Sequence, residues 1–165
     1  MLHRKNLNKN PFFLLGHYSQ TNILLRWLGE KGANKKWQEF VLPKNHQIRW
    51  ATLNDLKRLT KRRLIRVKDN KVLFSKKGVA AFMALRVLQT SPLPSGQICL
   101  LAFDIPEKKR ILRKFLRSFL KAADFERLQK SVWFSHFDAS GVLNEYFSYL
   151  GLSKQIIVLT AFVDR

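Results

Sequence analysis

Apolar residues recur along this chain with two different periods, and the changes of period mark out its elements. In HQIRWATLNDLKRLTKRRLI, Leu53, Leu56 and Leu59 fall on one helical stripe that Ile48 extends, while Arg49, Lys57, Arg58, Lys61 and Arg62 fill much of the remaining surface. Upstream, Thr21 is placed to cap a helix through ILLRWLGEKG, with Ile23, Leu24, Trp27 and Leu28 on one face and Gly32 at its end. KWQEFVL reads as a second, shorter helix stopped by Pro43. Downstream the period shortens. LIRVK and KVLFS are separated only by Asp69 and Asn70, two residues that tolerate the left-handed backbone of a tight hairpin. Ser75 then caps a last helix, KKGVAAFMALRVL.

After the Pro/Gly/Ser break at 91–96 the pattern starts afresh. ICLLAFDI is a near-continuous apolar run, as in a central strand. From about Pro106 to Ala123 a two-faced helix is expected. Ile111, Leu112, Phe115, Leu116, Phe119, Leu120 and Ala123 form its apolar face, and Lys109, Arg110, Arg113, Lys114, Arg117 and Lys121 the other. FERLQ and SVWFSHF read as two short strands, with Trp133 and Phe134 on opposite faces. A helix follows from Ala139 to Leu150, ended by Gly151, and then a last strand, QIIVLTAFV. The expected fold class is therefore α+β: helix–helix–helix–hairpin–helix, a winged helix-turn-helix over 18–91, then a βαββαβ ferredoxin-like unit over 97–165. Residues 1–17 form an N-terminal arm and 92–96 a linker.

Charge changes this picture from a fold into a function class. Against 31 Lys and Arg stand 11 Asp and Glu, a formal net charge of +20 in 165 residues. Residues 1–95 hold 20 of the basic and 4 of the acidic groups, so the excess sits mainly in the first half. Such a field draws polyanions and predicts strongly salt-dependent binding to nucleic acid. An anionic membrane is the competing partner, but the apolar helix faces are needed for cores. No apolar stretch approaches the roughly 18 residues of a membrane span, and PFFLLG is too short for a signal peptide core. The single cysteine, Cys99, lies inside an apolar run and has no partner within the chain, which fits a reducing, cytoplasmic setting.

The passage ATLNDLKRLTKRRLIRVKDNKVLFSKKG resembles winged-helix transcription regulators: recognition helix, basic corner, Leu-Ile, wing, then Ser/Thr-x-x-Gly. The resemblance implies double-stranded DNA as partner, with the third helix in the major groove and the hairpin along the backbone. Arg49, Thr52 and Asn54 are the candidates for base edges. Lys57, Arg58, Lys61 and Arg62 are candidates for phosphates, joined by Arg63, Arg66, Lys68 and Lys71 on the corner and wing. One departure stands at the corner before Leu64, commonly Gly in that family and here Arg63. FDIPEKKRILRKFLRSFL and FERLQKSVWFS resemble the central domain of the phenylacetate-pathway repressor (PaaX) family. They also resemble the small CRISPR-associated ferredoxin-like proteins, some of them metal-dependent nucleases. A winged helix ahead of this domain favours the repressor family, which implies a homodimeric, operator-reading regulator. That family usually continues into a further C-terminal region linked to effector sensing, so no effector is carried over here.

The CRISPR-associated likeness raises Asp104, at the end of the first strand, as a catalytic and metal-binding candidate. Two copies facing across a dimer axis would hold Mg2+ or Mn2+ for phosphodiester attack. The alternative is local. Asp104-Ile105-Pro106-Glu107 has the spacing of a capping box, in which Asp104 caps the helix and Glu107 reaches back. His3, His17, His46 and His136 are scattered, and Ser131 has no evident base, so neither a second metal site nor a nucleophile is expected. Three readings follow: a DNA-binding repressor with no cofactor, a metal-dependent endonuclease, and a non-enzymatic scaffold holding DNA for an integrase.

Overall fold

The computed structural model describes residues 39–41, 50–69 and 71–163, with side chains from Asn54 onward. The expected helix after Thr21, the arm, Arg49 and Ile48 lie outside the described residues. The chain divides into two compact units, with the boundary between Leu85 and Arg86.

The first unit contains β1 (Glu39–Val41), α1 (Trp50–Lys61), β2 (Ile65–Lys68), β3 (Lys71–Phe74) and the greater part of α2 (Lys76–Val87). The three strands form an antiparallel sheet in the order β1-β3-β2. This is the winged-helix arrangement: a helix, a hairpin wing, a closing helix and a short third strand. The middle of KWQEFVL is that strand and not a helix, since Glu39, Phe40 and Val41 pair with Leu73, Val72 and Lys71. A segment stopped so soon by Pro43 is too short to sustain a helix alone, whereas β3 offers a row of backbone partners on its free side. Leu56, Leu59, Leu64, Ile65 and Val72 are buried, so the leucine stripe of α1 is the core-facing one.

The turn from α1 into the wing is set by hydrogen bonds. The Leu64 N–H donates to the Leu59 carbonyl (3.0 Å) and the Arg63 N–H to the Thr60 carbonyl (2.8 Å). This is the Schellman pattern, and it places Arg63 in the left-handed region at φ 58°. A non-glycine residue there costs about 1 kcal/mol relative to Gly. Asp69 also takes positive φ, 49°, as a two-residue hairpin requires.

Ser75 joins this corner to α2. Its backbone N–H donates to the Leu64 carbonyl (2.9 Å), and its hydroxyl donates to the Arg63 carbonyl (2.7 Å), with that of Leu64 at 3.1 Å. The Gly78 N–H in turn donates to Ser75 Oγ (3.0 Å), the expected N-cap. A Cβ on Gly78 would overlap the Leu64 carbonyl, so glycine is required by close approach.

The second unit holds β4 (Gln97–Phe103), a 3-10 turn (Glu107–Lys109), α3 (Arg110–Ala122), β5 (Glu126–Arg127), β6 (Val132–Ser135), α4 (Ser140–Tyr149) and β7 (Ile156–Phe162). The sheet order β5-β6-β4-β7, antiparallel throughout, is that of the ferredoxin-like βαββαβ fold. Alternation along β4 buries Cys99, Leu101 and Phe103 on one face, together with Trp133 of β6. α3 and α4 bury Leu116, Phe119, Leu120, Leu143, Tyr146 and Phe147, and the Phe119 and Tyr146 rings stand 4.7 Å apart. Burial pushes the Cys99 thiol up to about 11, so it stays protonated and inert at neutral pH. Segment 91–97 is tied down by backbone bonds: Asp138 N–H to the Ser91 carbonyl (2.9 Å) and Leu93 N–H to the His136 carbonyl (2.7 Å). α3 and α4 end in the same Schellman pattern as α1, with Asp124 (φ 59°) and Gly151 (φ 68°) at the left-handed positions.

Two expectations for α3 need correction. Ile111 belongs to the apolar stripe by period but is 87% exposed, because it sits in the first turn of a helix that starts only at Arg110. The capping box does not form either. No side chain caps the 3-10 turn or α3, and Glu107 accepts from Arg113 Nη1 at 2.8 Å instead.

The close approach at Gly78 yields a prediction. Gly78→Ala should destabilise the first unit by about 1–3 kcal/mol, the usual cost of overpacking. In chemical denaturation the midpoint should fall with little change in slope, while Gly141→Ala, at an exposed helix position with open space around it, should not lower it.

Candidate nucleic-acid interface

α1 sorts its residues by burial. Asp55, Leu56 and Leu59 face inward, and Asn54, Lys57, Arg58 and Lys61 are exposed. The exposed four stand at i, i+3, i+4 and i+7, which is a single helical stripe. The expected cations of this helix thus lie together on the solvent face. Thr52 lies within α1, but its side chain is outside the described residues, and Arg49 lies outside them altogether.

Arg58 carries an interaction that sequence reasoning missed. Its Nη1 lies 3.4 Å from Oδ1 of Asp55, whose side chain is only 6% exposed. Asp55 is an acid on the inward side of a basic helix, three positions before an arginine, and that spacing is the signal that could have found it. The pair leaves Arg58 largely exposed while tethering its guanidinium. Arg62 and Arg63 belong to the corner and not to α1: Arg62 is half-buried, and its carbonyl accepts from Lys77 Nζ at 3.5 Å.

The wing presents a second cationic set. Arg66 and Lys68 alternate with Val67 and so share one face of β2. Lys71 lies directly opposite Lys68 across the hairpin and joins that face. The pairing sets two like charges directly opposite one another at the tip of the wing. The structure thus groups Asn54, Lys57, Arg58 and Lys61 on α1, and Arg66, Lys68 and Lys71 on the wing, with Arg63 at the turn between the two elements.

Asp104 stands just beyond the end of β4 with an exposed side chain, and its backbone N–H donates to the Gln155 carbonyl (2.9 Å). Among the described residues no group of three or more His, Cys, Asp or Glu side chains could hold a metal ion. Glu107 is engaged by Arg113, and Asp138 Oδ1 accepts from the Ser140 hydroxyl at 3.3 Å. Trp133 is buried, and Phe134 lies on the opposite face of the sheet, edge-on to His136. Among the described residues no helix is long and apolar enough to cross a membrane.

No curated protein and no solved structure shows a significant match to this chain. A family model does match, over residues 94–164, a span that takes in every strand and helix of the second unit from β4 to β7. The βαββαβ unit at 94–164 thus matches the family described as the PaaX protein central Cas2-like domain, and it follows a winged-helix unit in the same chain.

Proposed function

We propose that this protein is a DNA-binding transcriptional regulator, a homodimeric repressor whose winged helices read a two-fold related operator. The exposed stripe of Asn54, Lys57, Arg58 and Lys61 on α1 carries this reading. α1 stands where the recognition helix stands in a winged helix, and its cations face solvent with almost no acids among them. In this reading Lys57, Arg58, Lys61, Arg62 and Arg63 contact phosphates, as do Arg66, Lys68 and Lys71 of the wing, while Asn54, Thr52 and Arg49 reach base edges.

The dimer is supported by the second unit. Its two helices cover one face of the sheet, and the other face is apolar. Ile98, Leu100 and Ala102 alternate along β4, cross-strand pairing sets Phe134 and Val132 beside them from β6, and Leu159 and Ile157 from β7. Ile157 is 63% and Leu159 42% exposed, an apolar patch that a second copy of the same face would cover with two-fold symmetry.

A second reading rests on Asp104, whose exposed carboxylate is not used in capping. Paired across a dimer axis, two copies would supply oxygen ligands for Mg2+ or Mn2+ in a phosphodiester-cleaving site.

The regulator reading predicts tighter binding to a site in the protein's own promoter region than to random duplex at near-physiological salt, and equal affinity for both would overturn it. Lys57→Gln with Lys61→Gln should weaken binding to all duplexes and flatten the salt slope by about 1.8, at roughly 0.9 for each phosphate no longer neutralised. For the dimer, analytical ultracentrifugation should find two copies in the parent protein and one in Leu159→Arg; an unchanged sedimentation coefficient would refute the sheet-face pairing. The nuclease reading requires cleavage in Mg2+ or Mn2+ that disappears in Asp104→Ala, and cleavage persisting in that variant would place the chemistry elsewhere.

A further inference from the structure

We propose that the polar face of α3 is a second binding surface for the backbone of duplex DNA, separate from the winged helix and indifferent to sequence. The face forms an open trough of about 730 Å³ lined by six cations, Arg110, Arg113, Lys114, Arg117, Lys121 and Lys130, and by one acid, Glu107. Five of the six lie on one stripe of the helix, at steps of three or four residues. With a rise of 1.5 Å per residue the stripe runs for roughly 16 Å, a length along which duplex DNA presents several phosphates of each strand. The sixth arrives from elsewhere in the fold. Arg117 Nη2 donates to the Lys130 carbonyl at 3.3 Å, which draws the β5–β6 turn onto the helix and brings Lys130 to the edge of the trough.

The trough has two tiers. Arg113 and Arg117 are half-buried and form its floor, one oriented by Glu107 and the other by the Lys130 carbonyl. Arg110, Lys114, Lys121 and Lys130 are exposed and form its rim. The Nε atoms of Arg113 and Arg117 are turned away from solvent, with no hydrogen-bond partner among the described residues. The planar fork of a guanidinium matches the oxygens of a phosphate, so a floor of two oriented arginines suits a phosphodiester backbone.

The lining also excludes other ligands. It contains no aromatic ring on which an unpaired base or a nucleoside could stack. It is open and polar, unlike the enclosed, mostly apolar pockets of small ligands. Ile111 is an exposed apolar side chain on the same helix, too little for an amphipathic helix to insert in a bilayer. A long, regular polyanion read through its phosphates remains, and duplex DNA is the one a winged-helix protein meets.

The test uses the full chain and a random-sequence duplex, with affinity measured across a range of salt concentrations. Arg110→Gln, Lys114→Gln and Lys121→Gln together should flatten the log–log salt slope by about 2–3, at roughly 0.9 per phosphate, while Lys114→Arg with Lys121→Arg should preserve it. A protein carrying only Lys57→Gln and Lys61→Gln should keep salt-dependent binding with a slope flatter by about 1.8, and adding the three α3 substitutions should flatten it by about 2–3 more. All substituted side chains are exposed, and circular dichroism melting should show unchanged folding. An unchanged slope in the folded triple variant overturns the proposal. So does displacement of DNA from α3 by micromolar nucleoside diphosphate, or a triple variant that loses binding to phosphatidylserine vesicles but not to DNA. If the α1 substitutions have no effect while those on α3 do, the proposal stands and the winged-helix reading falls.

Discussion

Electrostatic self-repulsion is the constraint that the rest of this structure must satisfy. With +20 on 165 residues, every compact arrangement brings like charges together, and folding survives only if they remain solvated and apart. The fold manages this by giving each unit a one-sided helix. α1 turns Leu56 and Leu59 inward and its cations outward, and α3 does the same with Leu116, Phe119 and Leu120. The few acids are used locally, Asp55 on Arg58, Glu107 on Arg113 and Glu145 on Arg86, so they orient individual guanidinium groups more than they dilute the field. A polyanion that lies along either stripe relieves repulsion the folded chain otherwise bears, so binding and folding stability are thermodynamically linked.

Much of the architecture was legible because the deciding signals are local. Asp69 between the short strands, the Ser75 hydroxyl ahead of α2 and the glycine at 151 each act within a few residues of themselves, and each does what its chemistry suggests. Arg63 was legible too: the family pattern flags a glycine position, and the chain takes the left-handed angle there without one. β1 was not legible, since three residues become a strand only through β3, some thirty positions away. Ile111 fits the helical period, yet period cannot say where a helix begins, and Pro106 delays α3 until Arg110 through a 3-10 turn. The capping box failed for the same reason: Asp104 stands too early in the chain, five positions before Lys109, the N-cap position of α3.

The candidate site was legible in composition and not in arrangement. Sequence marks Lys57, Arg58 and Lys61 as basic and helical, but the inward turn of Asp55 beneath Arg58 is a tertiary fact. On α3 the basic stripe can be drawn on a helical wheel. That Lys130 joins it cannot, because the junction is a hydrogen bond between a helix side chain and a backbone carbonyl of a distant turn. Charge counts locate a cationic excess within a unit, and only folded geometry separates a diffuse cationic surface from a trough with a floor and a rim.

The Leu64 peptide unit has a further consequence. Its N–H closes the end of α1, its carbonyl receives Ser75, and Gly78 of α2 packs against that carbonyl so closely that no side chain fits between them. Helix, wing and closing helix are therefore clamped at one junction and cannot be re-aimed independently. Within such a frame the cations of α1 and of the wing keep one fixed spacing, so the charge pattern of this surface can be altered only by exchanging side chains, not by re-aiming the elements that carry them.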